Sequence, residues 1–323
     1  MAIYHLNVKT FGRSASGRAT SAAAYRSGER IRDERTGQVF DHSHRTDVMH
    51  KEIVLPSKLA AADMSWARDR AALWNAAELD ESRKNARLAR EYVVALPHEL
   101  THGQRLGLVR KFSQDLADRH GFAVDFAIHA PRPHNDPRNF HAHLLTTTRE
   151  VLPTGLGAKT NLDISSLKRQ ELGLDSNLKE LYAVREQWAT LANEALQRAN
   201  LEVRIDHRSF KAQGIDREPR PRIPTGAWHS ERQGQKSDIA ERIRAAYRAR
   251  VQARLERAVA RVSSMGSAGK LDDIRRLARQ SWLQLRDTQR ATSAAPDPVR
   301  SKARDSQKDC AVGRKEPDDD LAL

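Results

Sequence analysis

The protein has 323 residues, and its formal net charge of +14 makes nucleic acid the first candidate for a partner. Its single cysteine, Cys310, excludes an intrachain disulfide and any cysteine-based zinc module. The N-terminus has no signal-peptide pattern and no apolar run is long enough to span a membrane, so we expect a cytoplasmic protein with no membrane insertion.

The beginning of the chain predicts a strand and then an alanine-rich helix. Residues 2–10 alternate in polarity, which is typical of a half-buried strand. The segment ATSAAAYRSGERI, which follows Arg18, has high helix propensity because of its alanines. Tyr25 lies close to Gly28, and glycine commonly ends helices, so we expect Tyr25 at or near the exposed end of this helix.

The later elements mix strands and helices without strict alternation. In chain order they are a hairpin over 32–41, a strand over 51–56, a helix over 63–90 with a break near 79–81, a strand over 91–96, a helix from an N-cap at Thr101 to His120, a histidine-rich hairpin, a Gly/Pro-rich loop over 152–159, a helix over 178–199 and an edge strand over 203–206. This mixture predicts an α+β fold, with an antiparallel central sheet of about five strands flanked by helices.

A proline-rich boundary divides the chain. Pro219, Pro221 and Pro224 separate a main domain, residues 1–225, from a basic helical extension, residues 226–290. Within the extension, helical patterns cover 239–262 and 271–285. Residues 291–323 have the composition of a disordered tail.

The histidine-rich hairpin predicts a metal site. His141 and His143 are two residues apart, so on a strand both side chains leave the same face. The preceding strand-like run, residues 122–130, would place His129 opposite that pair in an antiparallel hairpin. His134 lies in the connecting loop and is the less constrained candidate for the third ligand. The alternative is that the histidines are ordinary surface residues.

Three imidazoles without a thiolate describe an open metal site, with a position left for water or substrate. A metal in such a site can polarise a phosphoryl oxygen or activate a water molecule. A protein nucleophile nearby would separate these two uses, and Tyr25 is a candidate because its neighbours in the helix offer it no apolar niche. The alternative is a tyrosine that fills a gap between helix and sheet.

Four sequence blocks, in order, resemble the MobA/MobL family of plasmid mobilisation relaxases, which belong to the histidine-hydrophobe-histidine (HUH) single-strand endonucleases. The blocks are ATSAAAYRSGERI, LAREYVVALP, IHAP with RNFHAHLLTTTR, and IDHRSFKAQGIDREP, and they span roughly residues 1–225. The resemblance implies an HUH relaxase-like fold. It also implies an enzyme that nicks one DNA strand at an origin of transfer by tyrosine transesterification and later rejoins it.

Site residues follow from the resemblance position by position. Tyr25 matches the nucleophile, and His129, His141 and His143 match the metal ligands. Glu91 matches an acidic position, which would orient a ligand or help to deprotonate Tyr25; the alternative is an ordinary carboxylate at the end of a strand.

Cofactor and partners follow in the same way. Imidazole ligands suit zinc or manganese, whereas phosphoryl chemistry commonly uses magnesium or manganese, and the resemblance favours the latter two. Implied partners are single-stranded origin DNA, accessory mobilisation proteins and a type IV secretion coupling protein.

Arginines near Tyr25 are candidates for phosphate contacts, namely Arg18, Arg26, Arg30 and Arg32. The arginine-rich run 242–261 is either a solvated helix face or a clamp for DNA or accessory proteins. Two competing functions remain: a metal hydrolase that uses activated water and no protein nucleophile, and a non-enzymatic DNA-binding accessory or repressor protein with structural histidines.

Overall fold

The computed structural model describes residues 3–13, 17–132 and 136–264, and also residues 275, 276, 278–280 and 282. The strands are β1 (Leu6–Gly12), β2 (Arg30–Arg32), β3 (Val39–Asp41), β4 (Val48–Val54), β5 (Arg87–Ala95), β6 (Val124–His129), β7 (His141–Thr147), β8 (Arg149–Leu152) and β9 (Gly155–Lys159). The helices are α1 (Ala19–Ser27), α2 (Ser65–Arg68), α3 (Arg70–Leu79), α4 (His102–His120), α5 (Ser166–Glu171), α6 (Asn177–Arg198), α7 (Thr225–Arg232) and α8 (Asp238–Ser264).

Five strands form one antiparallel sheet in the order β1-β5-β7-β6-β4, so the strand with two histidines, β7, lies at its centre. Two hairpins, β2-β3 and β8-β9, stand apart from it. Helices cover both faces of the sheet, which confirms the predicted α+β fold. The described chain separates into two compact units, the first reaching His207 and the second beginning at Arg208.

One face of the sheet carries the larger core. Helices α4 and α6 pack on it through buried residues such as Phe112 and Trp188, whose ring centroids are 5.0 Å apart. The predicted start of α4 is confirmed, because Thr101 and Gln104 form a reciprocal capping box. Gly121 ends the helix with a φ of 75°.

The opposite face carries the histidines and is covered by α1 and α3. The alanines of α1 are buried against sheet residues such as Ala89 and Leu145. Their short side chains let the helix lie close to the sheet. Gly28 ends the helix in the left-handed conformation, with a φ of 62°. This close packing brings Tyr25, near the end of α1, to the rim of the histidine-bearing face.

A buried carboxylate from α3 fixes the start of α1. No side chain of its own caps this helix; instead the Ala19 N–H donates to Glu78 Oε1 at 2.7 Å. Glu78 also pairs with Arg13, whose Nη2 is 3.2 Å away, and its side chain is fully buried. The carboxylate therefore supplies from another helix the acceptor that α1 needs at its N-terminus.

Replacing Glu78 with alanine is expected to lower the free energy of unfolding by about 3 kcal/mol, because a buried N–H and a guanidinium lose their shared acceptor. Urea denaturation followed by circular dichroism measures the change. Glu186→Ala, at an exposed position on α6, is the control and is expected to stay within about 0.5 kcal/mol of the unaltered protein. Equal stability of the two variants would contradict the anchoring role.

Three predictions of secondary structure need correction, namely a helix, a loop and an edge strand. The helix predicted over 63–90 is interrupted at Asp69, which caps α3 by accepting from the Ala72 N–H at 2.8 Å, and the chain enters strand β5 at Arg87. The loop predicted over 152–159 contains the turn of the β8-β9 hairpin, where Gly155 adopts a φ of 131°.

The edge strand predicted over 203–206 does not form. Asn193 on α6 binds both backbone groups of Ile205: its Nδ2 donates to the carbonyl at 2.9 Å and its Oδ1 accepts from the N–H at 2.8 Å. These are the groups that a strand partner would have used, so the segment packs beside the helix without joining the sheet.

The second unit is helical where it is described. Helix α8 confirms the pattern predicted over 239–262, and the described positions within 271–285 are helical. Several arginines of α8 pair with acids in the same unit, including Arg244 with Glu231 at 2.6 Å and Arg250 with Glu218 at 2.6 Å. Part of the positive charge on this helix is therefore neutralised locally. Residues 291–323 lie outside the described part of the chain.

None of the helices in the described part of the chain combines the length and the apolar composition that a membrane crossing needs.

Candidate active site

The three predicted histidines converge on the central strands. His129 on β6 lies directly opposite His141 on β7, and His143 follows on the same face. The ring centroids are 4.8 to 5.3 Å apart, and one ring nitrogen of each residue lies within 4.8 Å of the other two. All three side chains are buried. The predicted strand pairing is thus confirmed, and the three rings enclose a common point that suits a metal ion.

Hydrogen-bond partners assign which nitrogen of each β7 histidine carries the proton. His143 Nδ1 lies 2.7 Å from Glu91 Oε1, and His141 Nδ1 lies 3.1 Å from the carbonyl of Asn139. A carboxylate and a carbonyl accept, so both Nδ1 atoms donate and both Nε2 atoms keep a free lone pair. This is the arrangement in which proteins orient metal-binding histidines.

His129 is held from the side of α1. Its Nε2 donates to the carbonyl of Arg26 at 2.7 Å, which leaves the lone pair on Nδ1. Nδ1 lies 3.5 Å from Arg45 Nη2, at the outer limit of a hydrogen bond. Each of the three histidines therefore retains one nitrogen with no strong partner, and the donor set fits a divalent metal.

Burial keeps two of these imidazoles neutral. It lowers the pKa of His141 to about 3, with the neighbouring His143 adding to the effect. It also lowers the pKa of His129 well below the ordinary value, again with His143 as the next cause. Neutral imidazole is the form that binds metals, so these ligands need not lose a proton near neutral pH.

Glu91 lies beneath the cluster as a fully buried carboxylate on β5. Burial alone would raise its pKa, but the charge of Arg26, the neighbouring His143 and the hydrogen bonds to both residues lower the pKa far below the ordinary value. Arg26 binds both carboxylate oxygens, with Nη2 3.0 Å from Oε2. Glu91 thus links the central strand to helix α1.

Glu91→Gln is expected to weaken binding of Mn²⁺ by about tenfold to a hundredfold, because an amide orients and polarises His143 less well than a carboxylate does. Isothermal titration calorimetry measures the dissociation constant. Glu99→Gln, which alters a glutamate that follows strand β5 and pairs with His98, is the control and should leave the affinity within about twofold. Unchanged affinity in Glu91→Gln would show that the carboxylate does not support the ligand.

The four arginines predicted to contact phosphates are placed very differently. Arg26 is buried, 6% exposed, and faces Glu91, so it is not available to DNA and the prediction for it needs correction. Arg18 lies 3.7 Å from Asp33 with its side chain partly exposed. Arg30 and Arg32 are exposed on β2, where Arg30 lies 3.7 Å from Asp41. The sequence does not distinguish an arginine that faces the sheet from one that faces solvent. Helix α1 is buried on nearly every side, so its pattern of residues does not show which way Arg26 points.

Tyr25 lies among cationic side chains at the rim of the site. Arg132 Nη2 donates to its hydroxyl oxygen at 2.9 Å. The Arg45 guanidinium lies 4.1 Å from the ring centroid, and its Nη1 donates to the Tyr25 carbonyl at 2.9 Å. The ring of His42 meets the tyrosine ring edge-on at 5.3 Å. These cations would attract an anion, such as a phosphate group, to the side of the tyrosine.

Sequence reasoning missed Arg45, Asp47 and Arg132. Arg132 comes three residues after His129, so its closeness to a predicted ligand was a usable signal. Arg45 and Asp47 follow a hairpin and precede β4, and nothing in their spacing indicates a site. His134 and its neighbours at 133 and 135 lie outside the described residues.

The fold and the site together place the protein in the class that presents a histidine-hydrophobe-histidine pair from the centre of an antiparallel sheet, the hydrophobe here being Ala142. Residues 17–236 match the model of the MobA/MobL family. The chain belongs to this family.

Individual relatives agree. The chain is 39% identical over 259 residues to mobilization protein MobL of Acidithiobacillus ferridurans, covering 73% of this chain and 66% of that protein. It is 34% identical over 256 residues to a probable conjugal transfer protein TraA of Sinorhizobium fredii, covering 74% of this chain but only 23% of that protein. The chain thus spans a little under two thirds of the one relative and about a quarter of the other.

A solved structure is similar as well. The structure described as "Molecular Basis of Vancomycin Resistance Transfer in Staphylococcus aureus" matches with a TM-score of 0.53 and 29% sequence identity, over 64% of this chain and 100% of that chain.

Proposed function

We propose that the protein is a metal-dependent relaxase that nicks one strand of plasmid DNA at an origin of transfer and joins itself to the cut end through Tyr25. One observation carries the proposal: His129 of the histidine cluster donates at 2.7 Å to the carbonyl of Arg26, the residue that follows Tyr25. The nucleophile candidate and the metal-site candidate are therefore parts of one hydrogen-bonded unit, although more than a hundred residues separate them in sequence.

The proposed reaction is a transesterification. The Tyr25 oxygen attacks the scissile phosphorus, an O–P bond forms, and the bond from phosphorus to the 3′ oxygen breaks. The phenol loses its proton and the departing 3′ oxygen gains one, giving a 5′-phosphotyrosine and a free 3′-hydroxyl. One phosphodiester replaces another, so the reverse reaction can rejoin the strand after transfer.

The chain's own residues prepare each part of this step. Arg132 donates a hydrogen bond to the attacking oxygen at 2.9 Å and so helps to hold it in place. His129, His141 and His143 would hold the metal, which we propose to be Mn²⁺ or Mg²⁺, with Zn²⁺ also suited to imidazole ligands. When bound, this ion would withdraw charge from an oxygen of the scissile phosphate. Glu91 keeps His143 oriented, and Arg26 binds both of its oxygens, so orientation of the ligand is its proposed role.

Single-stranded DNA is the proposed substrate, and the net charge of +14 supports it. Arg30 and Arg32, exposed on the hairpin that follows α1, are proposed to contact its phosphates. Family membership supports accessory mobilisation proteins and a type IV secretion coupling protein as further partners. Plasmid DNA lies in the cytoplasm, so this substrate would place the protein there.

The test is a covalent adduct assay. The protein is incubated with Mn²⁺ and a set of labelled single-stranded oligonucleotides that tile an origin of transfer, and a denaturing gel separates protein joined to DNA. Peptide mapping is expected to find the DNA on Tyr25. Metal-dependent cleavage without an adduct would instead favour a hydrolase that uses activated water. Binding without any cleavage would favour an accessory DNA-binding protein.

A fragment of residues 1–225 is expected to retain at least about half of the adduct yield, because every residue placed in the proposed site lies within the first unit, which reaches His207. The gel assay measures the yield, and the full chain is the control. A folded fragment with no adduct would show that residues 226–323, beyond the proposed main domain, take part in the reaction.

A further inference from the structure

A carboxylate joins the two arginines that contact Tyr25. Asp47 binds Arg45 through both of its oxygens, with Nε 2.9 Å from Oδ1 and Nη2 2.5 Å from Oδ2. It also lies 3.8 Å from Nε of Arg132, the residue that donates to the Tyr25 hydroxyl. Without a shared anion, two guanidiniums converging on one phenol would repel each other.

The backbone of Asp47 is attached to the strand that carries His129. The Ala130 N–H donates to the Asp47 carbonyl at 2.8 Å, and Val48, the next residue, is paired with His129. Asp47 is therefore placed by the central sheet, whereas Tyr25 is placed by α1. The arginines are the side chains that connect these two supports around the phenol.

The contacts on Tyr25 fix different degrees of freedom. Arg45 covers the ring face at 4.1 Å and holds the backbone carbonyl at 2.9 Å, so it restrains the rotation of the side chain about its first bond. Arg132 restrains the hydroxyl at 2.9 Å. A nucleophile gains rate when its attacking atom is held in one place, and a displacement of about 1 Å can cost about a hundredfold.

We propose that Asp47 is a positioning residue: it holds Arg45 against the ring and Arg132 against the hydroxyl of Tyr25, so that the phenol oxygen is set for attack. This inference rests on the proposed relaxase function of Tyr25. Asp47 touches neither the substrate nor the attacking oxygen, and it acts through the two guanidiniums. Removing its charge would free both of them, whereas the hydrogen bonds that hold His141, His143 and Glu91 involve neither Asp47 nor Arg45.

The first experiment measures the rate constant of Tyr25 adduct formation in a single turnover. Asp47→Asn is expected to lower this rate constant by about thirtyfold or more, which is the size of effect expected when a nucleophile is displaced by a fraction of an ångström. The dissociation constant of the oligonucleotide should change by less than about threefold. Asp163→Asn is the matched control, because Asp163 also joins two arginines, Arg87 at 2.7 Å and Arg90 at 2.9 Å. An unchanged rate constant in Asp47→Asn would overturn the proposal.

Arg45→Lys serves as a second variant should Asp47→Asn fold poorly. Lysine keeps the charge but cannot bind Asp47, the Tyr25 carbonyl and the ring at once, so the rate constant is again expected to fall by about tenfold or more. A rate constant equal to that of the unaltered protein would contradict the arrangement.

The second experiment needs neither DNA nor activity. Fluorine NMR of protein labelled with 3-fluorotyrosine gives a Tyr25 resonance, assigned by its loss in Tyr25→Phe. Asp47→Asn is expected to shift or broaden this resonance, whereas Asp163→Asn leaves it in place. An unaltered Tyr25 resonance in Asp47→Asn would overturn positioning even if nicking slowed. If the unaltered protein forms no adduct at all, the proposed function fails, and the fluorine spectrum still decides the role of Asp47.

Discussion

Tyr25→Phe is expected to abolish the covalent adduct, lowering its rate of formation by a factor on the order of 10⁴ or more. The substitution removes one oxygen atom and with it the proposed nucleophile. The phenylalanine ring can keep its contacts with Arg45 and His42, since these involve the aromatic face and edge. Within the described part of the chain, the side-chain hydrogen bond that it loses is the one from Arg132. The free energy of unfolding should therefore change by no more than about 1 kcal/mol.

Adduct formation in Tyr25→Phe is measured on the same denaturing gel, and oligonucleotide binding by fluorescence polarisation. Binding should change by less than about threefold, because phosphate contacts lie elsewhere. Tyr182→Phe is the matched control: this tyrosine is 56% exposed on α6, and its replacement should leave the rate unchanged. An undiminished adduct in Tyr25→Phe would assign the nucleophile to another residue.

His141→Ala is expected to lower the rate of adduct formation at least about a hundredfold and to weaken Mn²⁺ binding by a similar factor. Loss of one of three ligands removes metal affinity, and charge withdrawal by a metal is worth several kcal/mol in phosphoryl transfer. His141 is the most informative ligand to remove, because in the part of the chain that the structure describes its other nitrogen bonds to the Asn139 carbonyl and to no side chain. Removing His143 would also take away one of the two side chains that bind Glu91, the other being Arg26.

Calorimetry with Mn²⁺ and the single-turnover assay measure the two effects of His141→Ala separately. His50→Ala on the neighbouring strand β4 is the control, since His50 stacks on Phe126 outside the cluster. It should retain both metal affinity and rate. Normal Mn²⁺ affinity in His141→Ala would show that the three histidines do not act together as a metal site.

Local rules were sufficient to predict the histidine cluster. Alternation with a period of two places His141 and His143 on one face, and a hairpin brings the preceding strand into register with them. The observed pairing of His129 with His141 follows from these two facts. The position of Tyr25 was also accessible, because alanine content predicts the helix and Gly28 predicts its end.

Contacts between distant segments could not be predicted in the same way. Whether Arg26 points towards DNA or towards Glu91 depends on how closely α1 approaches the sheet, which no local pattern specifies. Asp47 and Arg132 meet because β4 pairs with β6 at the edge of the sheet. This pairing depends on the order of the strands in the sheet, which local sequence patterns do not specify. Likewise, the Asn193 side chain binds the backbone groups of Ile205 that a neighbouring strand would otherwise have bound.

The alanine-packed helix α1 has a mechanical consequence. A DNA strand joined to Tyr25 would pull on this helix, which is tied to Glu78 at its first residue and held against the sheet along its length. The load would pass into the β-sheet through many short contacts acting together, and no hinge or long loop would carry it alone. A tether of this kind resists traction, so the covalent link could stay beside the histidines, ready for rejoining, while the strand is drawn away.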